Sequence, residues 1–62
     1  MEILKAAVEA AIIKQQHLLK GPSTQALLRL NTLGFATFET DRGHATVSID
    51  EQGIINEVVF YN

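Results

Sequence analysis

Phe35-Ala36-Thr37-Phe38-Glu39-Thr40-Asp41-Arg42-Gly43-His44-Ala45-Thr46-Val47-Ser48-Ile49 decides the fold of this 62-residue chain. Apolar and polar residues alternate singly on both sides of an Asp41-Arg42-Gly43-His44 turn, the period-two signature of strands rather than the wider spacing of a helix. With Arg42-Gly43 as the two loop residues, Thr40 stands opposite Ala45, Phe38 opposite Val47 and Ala36 opposite Ile49 on one apolar face. The other face pairs Thr37 with Ser48, Glu39 with Thr46 and Asp41 with His44, and is wholly polar. A one-residue slip would mix the two sets, so the agreement of both faces specifies a hairpin.

On the C-terminal side, Asp50-Glu51-Gln52-Gly53 reads as a type I turn whose glycine takes the left-handed position. Gly53 to Asn62 then forms a third antiparallel strand with large apolar residues on both faces. Placing Ile55 near Ile49 and Val59 near Ala45 puts Ile55, Val59 and Tyr61 on the core side. Ile54, Val58 and Phe60 are left on the polar side, as uncovered apolar surface on an edge strand.

On the N-terminal side, Leu4, Val8, Ile12 and Leu19 line one stripe of a long helix from Glu2 to Lys20, with Ala11 beside it. Ile3, Ala7, Ala10 and Ile13 broaden that stripe, and the small alanines permit close approach of another helix. Gly21-Pro22 ends this helix, because glycine favours a C-terminal cap and proline cannot continue the ladder. Ser23 or Thr24 caps a second helix to about Leu33, with Ala26, Leu27, Leu30 and Leu33 as its apolar stripe and Gly34 as its stop. The expected fold is α+β: residues 1–62 form a single domain of two helices packed on one face of a three-stranded antiparallel meander, in the order α-α-β-β-β.

Scaling relations give a chain of this mass about 9,900 Å² of surface unfolded and about 4,000 Å² folded. Apolar burial then contributes on the order of 90 kcal/mol, and ordering about 1.5 kcal/mol per residue opposes it with nearly the same amount. The chain has no cysteine to staple it and no evident metal cluster. A second subunit is the remaining common source of stability, so a homodimer or a complex with another protein is expected. Its surface would combine Ile54, Val58 and Phe60 of the third strand with Ile3, Ala7, Ala10 and Ile13 of the first helix. The absence of cysteine fits a reducing compartment, and Lys5, Glu9 and Lys14 break up the apolar run of residues 3–13. No membrane-spanning or signal pattern is present, so a cytoplasmic protein is expected.

Catalytic and cofactor chemistry finds little support in the residue pattern. His44, Asp41 and Glu39 could approach a divalent metal or form an acid-base pair, yet they would lie on an open, solvated sheet face; a hairpin-stabilising Asp-His pair is the simpler reading. Adding Ser48 gives the residue types of a hydrolase triad without a nucleophile turn or oxyanion hole. Lys20-Gly21-Pro22-Ser23-Thr24 precedes a helix but lacks the glycine spacing of a phosphate loop. His17 is placed at the end of the first helix, where it can meet the last carbonyls. No enzyme, cofactor, metal or small-molecule substrate is therefore expected.

Nucleic acid is the alternative partner. A second helix ending in Leu30-Asn31-Thr32-Leu33-Gly34-Phe35, followed by a hairpin tipped by Arg42-Gly43, resembles the recognition helix and wing of a winged-helix domain. The resemblance implies a DNA-binding regulator, with Gln25, Arg29, Asn31 and Thr32 as readers and Arg42 as a backbone contact. Two helices stand where that family has three. Glu39 and Asp41 beside the wing oppose phosphate, and residues 34–62 carry Arg42 alone against Glu39, Asp41, Asp50, Glu51 and Glu57. The charge pattern disfavours this alternative.

Overall fold

A computed structural model describes residues 2–21 and 23–61. Helices α1 (Glu2–Lys14) and α2 (Thr24–Leu33) precede strands β1 (Phe35–Thr40), β2 (Gly43–Ile49) and β3 (Ile55–Tyr61). The strands form an antiparallel meander in the order β1-β2-β3. Both helices lie on one face of the sheet, α2 mainly on β1 and α1 on β3. This is the α+β arrangement expected from the sequence. The core between the layers takes Val8 and Ile12 from α1, Leu27 and Leu30 from α2, Ala36 and Phe38 from β1, and Ala45 and Val47 from β2. Leu33, expected in that core, is instead exposed at the end of α2.

The first helix stops six residues before Lys20. Gln16 adopts φ 64°, the left-handed conformation that closes a helix. Its N–H donates to the Ile13 carbonyl at 2.8 Å while the His17 N–H donates to the Ile12 carbonyl at 3.1 Å. Those two bonds are the Schellman pair that satisfies carbonyls a helix end leaves open, here with glutamine where glycine is usual. Residues 18–20 then run as an extended strap along the free edge of β1. Lys20 N–H donates to the Glu39 carbonyl, Asp41 N–H donates to the Leu18 carbonyl, and the Asp41 carboxylate accepts from Leu18 N–H at 2.8 Å. Pro22, assigned to the link between the helices, lies outside the described residues. Gly34 ends α2 as expected, at φ 88° with its N–H on the Leu30 carbonyl.

The β1–β2 hairpin keeps its expected faces in a different register. Phe38 lies opposite Ala45, Ala36 opposite Val47 and Thr40 opposite Gly43, so the loop residues are Asp41-Arg42. A shift of two residues leaves every side chain on the same face, and face pattern alone cannot detect it. The strap selects the register by holding Asp41, and the Thr40 hydroxyl accepts from Arg42 N–H at 3.2 Å inside the turn.

The third strand corrects the expected faces. Ile49 pairs with Ile55, but Ser48 pairs with Glu57, so Asn56 is an extra residue in a β-bulge. One extra residue inverts every side chain that follows. Val58 therefore lies opposite Val47 and Phe60 opposite Ala45, both packed against the core, while Val59 and Tyr61 face outward. The turn before β3 forms as expected. Gly53 has φ 79° and donates its N–H to the Asp50 carbonyl, and the Asp50 carboxylate accepts from Gln52 and Ile54 N–H, both at 2.9 Å.

Candidate interaction surface

α1 turns Val8 and Ile12 into the core, so residues about half a turn away cannot be buried by this chain. Ile3, Ala7 and Ala10 lie on that side and are exposed. At the start of β3, Ile54 precedes the bulge and is 63 % exposed, although the amides around it are fixed by Asp50. These residues meet. An open groove of about 660 Å³ is lined by Ile3, Leu4, Ala7, Ala10, Ala11 and Lys14 of α1, by Asn31 of α2, and by Gly53, Ile54 and Ile55. Among the described residues, its one charged lining residue is Lys14, at one end of the α1 side.

Of the seven residues assigned to an interaction surface, the groove gathers Ile3, Ala7, Ala10 and Ile54. Ile13 is exposed on the other flank of α1, beside Glu9, Leu18 and Leu19. Val58 and Phe60 are withdrawn to the inner face by the bulge. Leu4 and Ile55, expected on the core side, and Ala11, one of the alanines expected to permit close helix approach, also line the groove with half-buried side chains. Their position at the margin of each apolar stripe is the sequence signal for that double use.

The free edge of β3 is the other unsatisfied feature. The strap pairs with the end of β1 at Glu39–Asp41, whereas β3 has β2 on one side and, among the described residues, no strand on the other. The bulge at Asn56 interrupts that bare edge and limits regular pairing to the residues after it.

The polar groups fall into structural roles or stand apart. His17 is buried past the end of α1, with Nδ1 2.9 Å from Thr40 Oγ1 and its ring centroid 4.5 Å from that of Phe60. Its side chain joins the strap to the sheet, while its backbone N–H meets the Ile12 carbonyl at the end of α1. His44 lies opposite Glu39 and Tyr61, not Asp41, whose carboxylate is held by the strap. Ser48 lies opposite Phe35 and Glu57, so the sheet does not assemble the Asp41, His44 and Ser48 triad types. Among the described residues, no group of three or more His, Asp or Glu could hold a metal ion.

The candidate DNA contacts are dispersed. Gln25 and Arg29 share a polar cleft with Lys20, and Glu39 lines the same cleft. Asn31 lies at the apolar groove and Arg42 in the distant hairpin loop. No helix among the described residues is long and apolar enough to cross a membrane. No protein-family model, curated protein or solved structure matches this chain.

Proposed function

We propose that the protein is a small non-enzymatic interaction module that associates with itself through the α1 side of the groove and the start of β3. The observation that carries this reading is the convergence of Ile3, Ala7, Ala10 and Ile54 on one open groove, with a single charged residue in its lining among the described residues. Exposed apolar residues scattered singly need no explanation, but a concave and continuous set of them favours a partner. The cytoplasm is the compartment proposed for a cysteine-free chain of this kind. DNA binding remains the weaker alternative, because Glu39 shares the cleft of Gln25 and Arg29 while Asn31 and Arg42 stand elsewhere.

Sedimentation velocity on variants tests the proposal. Ile54→Lys and Ala10→Glu place a charge in the groove at positions already exposed, so each should keep the native circular dichroism spectrum and lose self-association. Val59→Lys, on the outer sheet face, should associate like the native chain. Groove variants that associate as tightly as the native chain would contradict the reading. A loss of binding to duplex DNA at low salt in Arg29→Ala would favour the alternative.

A further inference from the structure

We infer that the groove is filled by α1 of a second copy, the two α1 helices running antiparallel about a two-fold axis between Ala7 and Ala10. This rests on the interaction reading above and specifies its occupant and geometry.

Surface area is the first argument. The folded chain exposes 4449 Å², about 450 Å² more than the roughly 4,000 Å² expected for a monomer of its mass. A stable interface at the lower end of the usual range removes about 600 Å² from each partner. The excess is of that order, and the groove holds two of its largest apolar contributors, Ile3 at 88 % and Ile54 at 63 % exposure. A second copy burying those groups would bring the chain close to the ordinary exposure of a folded protein.

Self-complementarity is the second. An antiparallel pair centred between Ala7 and Ala10 sets Ala7 against Ala10 of the partner subunit, and Ile3 against the aliphatic stem of Lys14 of the partner subunit. Each contact then occurs twice, as an isologous interface requires. The alanines at the centre permit an interaxial distance of about 8 Å, and the antiparallel sense sets the helix dipole ends of opposite sign side by side. Eleven residues at about 1.5 Å each separate Lys14 from Ile3, so the two Lys14 charges stand about 16 Å apart along the axis. That is beyond a Debye length of about 8 Å in physiological salt, and the two like charges do not oppose the contact. Ile54 of each copy closes the groove on the outer side of the inserted helix.

The bare edge of β3 is the competing route to a dimer. Its bulge lies near the start of the strand and leaves only the short run after Asn56 for a regular two-fold ladder. Bulges at an edge oppose such pairing, so the helix route is favoured.

The chain contains no cysteine, which makes engineered thiols unambiguous. At an interaxial distance of about 8 Å, Ala7 and Ala10 of the partner subunit come within the Cα separation a disulfide spans. Two single variants, Ala7→Cys and Ala10→Cys, are mixed in equal amounts and oxidised at a concentration where the native chain is associated. The expected product is the mixed disulfide in large excess over the half expected from random pairing, while a mixture of Ala10→Cys with Ile13→Cys stays near random. If the native chain sediments as a dimer and the mixed product is not enriched, while Val59→Cys links to its own copy, the dimer uses the β3 edge; the inference is then overturned and the interaction reading survives. A native chain that sediments as a monomer throughout, with random disulfide products, would overturn both.

Discussion

His17 holds the part of this molecule that has no regular secondary structure. It follows the left-handed Gln16, enters the core, and places Nδ1 2.9 Å from the hydroxyl of Thr40. That hydroxyl also accepts from Arg42 N–H, leaving its own hydrogen free for the imidazole. One oxygen therefore ties the strap, the end of β1 and the hairpin turn together. Thr40→Val keeps the shape but leaves His17 Nδ1 buried without a partner, and should cost about 1–3 kcal/mol. Combining it with His17→Leu should cost less than the two single changes added, by at least about 0.5 kcal/mol, because each alone strands the other's polar atom. Urea unfolding of the four proteins measures this; strict additivity would show that the pair does not interact. Neither residue's role was legible in the sequence. His17 falls at helical spacing after Lys14, and only the early stop at Gln16, a residue with no strong preference for that conformation, brings it to Thr40.

Among the elements, β3 has the sharpest consequence, because adjacent valines are assigned opposite environments. Val58 faces Val47 in the core, whereas Val59 points away from it. Val58→Lys should cost about 3 kcal/mol or more, a large share of the roughly 3–9 kcal/mol that a chain of this length commands. Val59→Lys should change stability by no more than about 0.5 kcal/mol. Chemical denaturation followed by circular dichroism distinguishes them, and the opposite order would restore a regular strand without a bulge at Asn56. The three strands differ in how plainly their sequence reveals their faces. In β1 and β2 the side-chain alternation is unbroken, so even a two-residue error in register preserved the core set of Ala36, Phe38, Ala45 and Val47. In β3 apolar residues occupy both faces, the pattern is indifferent to a slip of one, and a single extra residue went unseen. The helix caps divide in the same way: Gly34 announced the end of α2, whereas Gln16 announced nothing.

For the whole molecule, two layers are too few to cover all the apolar surface this sequence carries. An apolar groove is left open between α1 and Ile54. Four of the seven assigned residues were legible because Ile3, Ala7 and Ala10 widen the helix stripe beyond what one sheet can bury, and Ile54 stands next to a turn. Ile13 was not separable from them, since the flank of a helix that meets Leu18 and Leu19 depends on where the strap runs. The proposed second copy fills the groove without any new element. Light scattering on the native chain, diluted from millimolar to micromolar, tests this most directly. A mass of twice the chain's 6.8 kDa over most of that range, falling only toward the lowest concentrations, is the predicted result; a constant mass of one chain at every concentration would contradict it.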